Sequence, residues 1–327
     1  MANHNKSNGV SKYISVLTGN SNPALAKAIC RHLGVSLSNA IVDRFPEGEI
    51  RVQIQDNIRG KDVFVIQSTC SPPNDHLMEL LILIDAARRA SASRITAVLP
   101  FYGYARQDRK DKPRVPITAK LVANLLVSAG ANRILALDLH AGQIQGFFDV
   151  PVDHLFSINV LIKYFLKKRL KDLVVVSPDV GGLKLARAYS KLLNASLAIV
   201  DKRRESATKT KVMDIIGEVH GRNVVLVDDL ISTASSLVEA VSGLKKEGCL
   251  DVYAAIVHPI LAGPAIERIQ KSELKELVVS DSIPIPHEKM IKKITVLSVA
   301  PLLGEAIKRI HQNESVSVLF QKSAVEA

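Results

Sequence analysis

Short runs of β-branched and aliphatic residues recur along the whole chain, each closed by polar or small residues and followed by a helical pattern. Val224-Val225-Leu226-Val227 is the clearest. A continuous apolar run of this length reads as a strand buried on both faces. It stops at two adjacent carboxylates, Asp228 and Asp229, followed by Leu230-Ile231 and the small-residue loop Ser232-Thr233-Ala234-Ser235-Ser236. A helix is predicted from about Ser236. Residues 95–99 and 135–137 read as strands of the same kind, and a further strand ends at Val200. Strand runs alternating with helical patterns predict an α/β fold with mainly parallel sheets.

The pattern repeats. Ile41-Val42-Asp43-Arg44 recurs as Ile199-Val200-Asp201-Lys202, an offset of 158 (199 − 41). Residues 59–66 match residues 220–227, an offset of 161 (220 − 59). Residues 95–100 match 255–259, each a strand closed by proline. Residues 13–33 and 173–193 both read as strand, glycine-containing loop and amphipathic helix. Two related α/β halves are predicted, since a solenoid has a shorter period. The boundary falls near residues 151–157, which suits the two domains expected of 327 residues. The halves differ where chemistry is expected: Gln67-Ser68-Thr69-Cys70 stands where the second half has Asp228-Asp229-Leu230-Ile231.

Charge and composition narrow the partners. The net charge of +11 suits nucleic acid or anionic small substrates. Aromatics are only 4% of residues and no nucleic-acid module is recognisable, which favours small anions. Cys30, Cys70 and Cys249 lie in no metal or redox spacing and read as small buried hydrophobes of a reducing compartment. The N-terminus has no apolar signal core, and charges interrupt every long apolar run, so a cytoplasmic protein with no membrane partner is expected.

The loop at 228–236 suits a sugar phosphate. Backbone N–H groups in a tight turn at a helix N-terminus hold phosphate, and carboxylates at a strand end accept from a vicinal diol or approach hydrated magnesium. An acidic strand end on a solvated turn is the alternative. Residues 102–114, rich in Arg, Lys and Asp with Gly103 and Pro113, form a strand-to-helix loop before a helix near Ile117. That loop reads as a phosphate-facing lid or as a solvated charged segment. In Asp138-Leu139-His140 a strand is expected to point Asp138 and His140 to one face, as metal ligands or in a water network. Asp149 and Asp153 downstream add hard oxygen donors that favour magnesium. Lys202-Arg203-Arg204 would neutralise a transferring phosphoryl group or decorate a solvated turn. No Gly-x-x-x-x-Gly-Lys-Ser/Thr occurs, so any ATP site uses another geometry.

Taken together, the chain resembles the ribose-phosphate pyrophosphokinase (phosphoribosyl pyrophosphate synthetase) family from about residue 13 to residue 320. The resemblance is most specific at Tyr104-Ala105-Arg106-Gln107-Asp108-Arg109-Lys110, Asp138-Leu139-His140-Ala141, Ser177-Pro178-Asp179-Val180-Gly181-Gly182 and Asp201-Lys202-Arg203-Arg204. It implies two tandem phosphoribosyltransferase-like domains, each a mainly parallel sheet flanked by helices: 10–155 on the ATP side, and 156–320 with the ribose 5-phosphate and catalytic loops. It also implies diphosphoryl transfer from Mg-ATP to the C1 hydroxyl of ribose 5-phosphate, giving phosphoribosyl diphosphate and AMP.

By the same resemblance, Phe45, Glu47, Gly48 and Glu49 line the ATP site with Arg106 and Gln107. His140 and Asp179 serve magnesium, with Asp138, Asp149 and Asp153 as further carboxylates. Lys202 and Arg204 are the catalytic pair, and Arg204 also meets ribose 5-phosphate. Asp228 and Asp229 hold the ribose hydroxyls, while Ser232, Thr233, Ala234, Ser235 and Ser236 hold the 5-phosphate. Asn57, Arg59, Ser315 and Ser317 fall at a regulatory site for phosphate or ADP. A homo-oligomer, a hexamer built from dimers, is expected.

The chain departs from the family pattern, which has Asp at 232 and Gly at 235. Glycine permits positive φ and close approach to phosphate, so a serine held there would cost on the order of 1 kcal/mol in strain. Glu205-Ser206-Ala207-Thr208 also replaces a common Pro-Arg-Pro-Asn. A weak or non-catalytic paralogue that regulates an active synthetase by co-assembly is therefore the alternative function.

Overall fold

The computed structural model of the chain describes residues 13–203 and 212–319. It divides into two compact units. In the first unit the chain runs β1 (Ile14–Thr18), α1 (Pro23–Leu33), β2 (Ala40–Arg44), β3 (Ile50–Ile54), β4 (Asp62–Ile66), α2 (Pro73–Arg89), β5 (Arg94–Leu99), α3 (Thr118–Ala129), β6 (Arg133–Leu137) and β7 (Val152–Leu155). Five of these strands form a wholly parallel sheet in the order β1-β4-β5-β6-β7, and β2 and β3 pair apart as an antiparallel hairpin.

The second unit runs α4 (Ile158–Lys168), β8 (Leu173–Ser177), α5 (Leu183–Leu193), β9 (Ser196–Arg203), β10 (Val212–Ile216), β11 (Asn223–Ile231), α6 (Ser235–Lys246), β12 (Val252–Pro259), α7 (Ala265–Lys271), β13 (Leu274–Ser280) and β14 (Ile294–Leu297). Its sheet has the order β10-β9-β8-β11-β12-β13-β14, parallel except for the antiparallel β9–β10 pair. The repeat read from the sequence has a structural counterpart. β1, β4, β5, β6 and β7 follow the same path as β8, β11, β12, β13 and β14, and hairpin strand β2 corresponds to β9.

The continuous apolar runs have the expected cause. In β4, Val63 and Val65 pack on Leu80, Leu83 and Ile84 of α2, while Phe64 and Ile66 face Leu25 and Ile29 of α1. Both faces are dry, so period-2 alternation disappears from the sequence. In β11, Val224 and Leu226 pack on Leu237, Val241 and Leu244 of α6. Helix ends carry local signals: Asn22 caps α1 by accepting from the Leu25 N–H at 3.2 Å, Pro23 is its first residue, and Gly34 ends it at φ +69°.

The last helix departs from the sequence division. α8 (Ala300–His311) belongs to the first unit, although it follows the second in sequence. Leu303, Ile307 and Ile310 bury against the α1 side of the first sheet. Arg94 and His311 both reach Asp62 at the start of β4. Among the described residues no helix is long and apolar enough to cross a membrane.

Candidate functional site

In the second unit β11 continues through the aspartates to Ile231, past the point where the apolar run predicted its end. Two registers explain this. On one side β8 stops pairing at Leu226; on the other, β12 stays paired as far as Ile231↔Pro259. Asp228 and Asp229 therefore extend beyond the β8 edge while still held by β12. This is a crevice beyond the carboxyl end of a parallel sheet, where ligands of such folds bind. The Asp229 N–H donates to Asp228 Oδ1 at 2.9 Å. Burial first, then the Asp229 carboxylate and Asp179, push Asp228 up to about 8.

Asp179 follows β8. Its Oδ1 accepts from the Gly182 N–H at 2.9 Å, and Ser177 Oγ donates to its carbonyl at 2.7 Å. Among the described residues no three His, Cys, Asp or Glu side chains converge to hold a metal unaided. Asp179, Asp228 and Asp229 offer hard carboxylate oxygens, the donor type magnesium takes alongside water and substrate phosphates. The effect of Asp229 and Asp179 on Asp228 is one that a divalent cation would offset.

The loop 232–236 turns directly into α6. Positive φ falls on Ala234, at +62°, and not on Ser235, which is the first helical residue. The strain expected at Ser235 is thus absent there. Alanine bears it instead, at a cost of about 1 kcal/mol. The Thr233, Ala234, Ser235 and Ser236 N–H groups donate to no acceptor among the described residues. An array of undonated N–H groups at a helix start is a phosphate-binding geometry.

Lys202 lies in β9, its backbone opposite Met213 in β10. Arg204 lies outside the described residues, as do residues 205–208.

In the first unit the hairpin turn presents the predicted nucleotide residues. The Phe45 N–H bonds Glu49 O at 2.9 Å, the Gly48 N–H bonds Phe45 O at 2.9 Å, and Gly48 sits at φ +96°. Phe45 is 41% exposed, with the Arg51 guanidinium 5.6 Å from its ring. Arg51 is locked to Asp43 at 2.8 and 2.5 Å and holds that carboxyl below its usual range. Arg44 pairs with Asp75 of α2 at 2.8 Å. An exposed aromatic with a fixed cation beside it can stack a base. Arg51 escaped the sequence reading, although its position opposite Asp43 follows once the turn at 45–49 is placed.

Arg106 and Gln107 are exposed on the loop before α3. That loop is built rather than loose. Buried Tyr102 donates to Ala119 O at 2.7 Å, the Gly103 N–H donates to Thr69 Oγ1 at 2.6 Å, and Gln107 O accepts from the Ala119 N–H at 3.1 Å.

The strand expected to carry Asp138 and His140 stops before them. β6 ends at Leu137, and Asp138 takes φ +39°, which breaks the period-2 alternation. His140 is exposed. The turn is held by the Asp138 N–H to Leu155 O at 2.8 Å and by buried His154, whose Nε2 accepts from the Leu139 N–H at 2.9 Å. Asp149 and Asp153 are not gathered there: Asp153 pairs with Arg133 at 2.6 Å, and Asp149 lies 3.7 Å from Lys120. Asn57 and Arg59 precede β4, and Ser315 and Ser317 follow α8. The Asp62–His311 contact at 2.9 Å brings these two segments to one end of the unit.

Comparison with known proteins places these features in a family. Residues 14–130 match the model of the N-terminal domain of ribose phosphate pyrophosphokinase, and residues 203–321 match the phosphoribosyl synthetase-associated domain. The chain is 56% identical to the ribose-phosphate pyrophosphokinase of Caldanaerobacter subterraneus subsp. tengcongensis, covering 94% of this chain and 98% of that one. It is 57% identical to that of Chlorobaculum tepidum, covering 95% and 96%. The phosphoribosylpyrophosphate synthetase of Mycobacterium smegmatis superposes with a TM-score of 0.88 at 41% identity, over 92% of this chain and all of that one. With both halves matched, in sequence and in fold, the chain belongs to the ribose-phosphate pyrophosphokinase family.

Proposed function

We propose that the protein transfers the diphosphoryl group of ATP to the C1 hydroxyl of ribose 5-phosphate. The carrying observation is the end of β11, where two carboxylates on an open strand edge are followed, after three intervening residues, by the N–H groups of residues 233–236, which donate to no acceptor among the described residues. A ribose diol and a phosphate monoester need these two features in this order. In the reaction the C1 oxygen bonds the β-phosphorus, the bond from that phosphorus to the α-phosphate oxygen breaks, AMP leaves, and the hydroxyl proton is lost.

Within the second unit, Asp228 and Asp229 orient the ribose hydroxyls and the 232–236 loop anchors the 5-phosphate. Lys202 and Arg204 neutralise charge on the transferring group. Within the first unit, Phe45 stacks the base, supported by Glu47, Gly48 and Glu49, and Arg106 and Gln107 meet the nucleotide. Asp179, and His140 in the first unit, would serve magnesium, which when bound neutralises phosphate oxygens and polarises the phosphorus under attack. Much of the rate would come from positioning. Asn57, Arg59, Ser315 and Ser317 would receive phosphate or ADP as effectors, and the protein would work as a hexamer. No observation favours the non-catalytic alternative, and one of its motives, strain at Ser235, falls on Ala234 instead.

The test is AMP formation from ATP and magnesium, with and without ribose 5-phosphate. Release of AMP that depends on ribose 5-phosphate is expected; a chain that forms none under any condition refutes the proposal.

A further inference from the structure

Arg268 lies on α7, far from the hydroxyl loop in sequence, yet its Nη1 donates to that loop twice. One bond goes to the Thr233 carbonyl at 2.8 Å and one to Ser235 Oγ at 2.5 Å. The two acceptors flank Ala234, the residue held at φ +62°. A left-handed alanine persists only where its surroundings over-determine it. The neighbouring carbonyls are also taken up by the segment after β12: Ile231 O accepts from the Ile260 and Leu261 N–H groups at 3.0 and 3.2 Å, and Ser232 O accepts from the Ala262 N–H at 2.9 Å. The carbonyls of residues 231–233 are thus all engaged from one side, while the N–H groups of residues 233–236 donate to no acceptor among the described residues. The half-buried guanidinium adds positive charge behind that array.

The geometry points to Arg268 as a positioning residue that sets affinity for the phosphate end of the sugar phosphate, with Ser235 as its partner. This rests on the sugar-phosphate reading of the loop given above. It also changes the meaning of the serine at 235. In the family pattern that position is glycine, which offers no side-chain acceptor. Here the hydroxyl gives the guanidinium a second anchor across the strained alanine.

Steady-state AMP formation with each substrate varied tests the role. Arg268→Ala should raise the KM for ribose 5-phosphate about tenfold, or about 1.4 kcal/mol, with kcat and the KM for ATP within about twofold of the native values. Arg268→Lys, which keeps the charge without the planar guanidinium, should recover part of the loss. Ser235→Ala should raise that KM about threefold and add nothing to Arg268→Ala, because the arginine variant has already lost the bond. Calorimetric titration with ribose 5-phosphate alone should give the same ranking without turnover.

A folded Arg268→Ala protein with native KM and Kd for ribose 5-phosphate overturns the inference, as does one whose ATP and sugar parameters shift together. If Arg268→Ala does not fold, Arg268→Lys and Ser235→Ala carry the test, and native sugar affinity in both overturns it. A native chain that neither binds ribose 5-phosphate nor forms AMP refutes the proposed function and takes this inference with it. An active native chain indifferent to Arg268 refutes this inference alone.

Discussion

Replacing Arg94 by methionine tests how α8 is held to the first unit. Arg94 opens β5 and gives a forked pair to Asp62, Nε to Oδ1 at 2.9 Å and Nη2 to Oδ2 at 2.5 Å. Nη2 also donates to Ile310 O at 2.9 Å, satisfying a carbonyl at the end of α8, and His311 Nδ1 lies 2.9 Å from Asp62 Oδ2. The side chains of Arg94, Asp62 and His311 are 28%, 10% and 14% exposed. Methionine keeps the packing of the stem but takes the forked donor from a nearly buried carboxylate, leaving it His311, and leaves Ile310 O with the Asn313 N–H at 3.2 Å. Removing one partner of a fully buried pair costs about 3–5 kcal/mol, and an exposed pair contributes about 0–1 kcal/mol. With the arginine more than a quarter exposed, a loss of about 2–3 kcal/mol is expected. Urea unfolding would read it as a lowered midpoint at unchanged m-value. Adding Asp62→Asn should recover about 1 kcal/mol by removing the stranded charge. If Arg94→Met unfolds within about 0.5 kcal/mol of the native chain, water has replaced the guanidinium and the clasp does not hold α8.

Three further outcomes can be checked. Lys202→Ala should lower turnover at least about tenfold, or about 1.4 kcal/mol of transition-state stabilisation; undiminished turnover would remove Lys202 from the mechanism. Gly103→Ala places a Cβ 2.4 Å from the Thr69 carbonyl oxygen. The backbone of the Arg106 loop must then shift, and the KM for ATP should rise about fivefold with that for ribose 5-phosphate unchanged; equal effects on both would argue against a nucleotide role for this loop. Asp228 stands at about 8 in the folded chain against an ordinary 3.8, so the folded state keeps a proton that the unfolded chain releases between those values. Its contribution to stability is full below the lower value and is lost as pH rises through the upper one. Asp228→Asn should therefore gain stability relative to the native chain by about 3–4 kcal/mol between about pH 5 and pH 8; a constant difference between the two proteins would refute the shift.

The repeat was legible because strands buried on both faces leave unbroken apolar runs, and an offset between such runs survives divergence of the residues around them. The end of β11 was not legible. Asp228 reads as a terminator, whereas its backbone remains paired to β12 on one side, and pairing partners do not show in local composition. The turn at Asp138 was missed because a positive φ at a non-glycine residue has no local sequence mark. Membership of α8 in the first unit depends on Leu303 and Ile307 meeting the α1 face from the far end of the chain. Arg268 carried no signal at all: it lies in a short charged helix, and its role exists only through contacts with Thr233 and Ser235.

The two halves put one position of the repeat to opposite uses. Gln67 follows β4 as Asp228 follows the apolar part of β11, at the offset of 161 (228 − 67). In the second unit the crevice is lined by carboxylates, and burial with Asp229 and Asp179 nearby raises the proton affinity of Asp228, a state that a cation or a sugar diol would relieve. In the first it is filled. Gln67, wholly buried, donates from Nε2 to Glu79 Oε2 at 2.7 Å and accepts from the Ser21 hydroxyl at 2.7 Å. Glu79 also accepts from the Asn20 N–H at 2.9 Å and from Asn20 Nδ2 at 2.8 Å, and Nδ2 reaches Val42 O on β2 at 3.0 Å. A Cβ on Gly19 would stand 2.7 Å from the Gln67 amide, so a phosphate has no room there. A buried carboxylate is costly unless donors surround it, and three N–H groups do so at Glu79. What they secure is β2, the strand that leads into Phe45 and the turn at residues 45–49. The network therefore serves the first unit by fixing the hairpin proposed to grip the nucleotide, at the position where the second unit keeps its carboxylates open to a sugar phosphate.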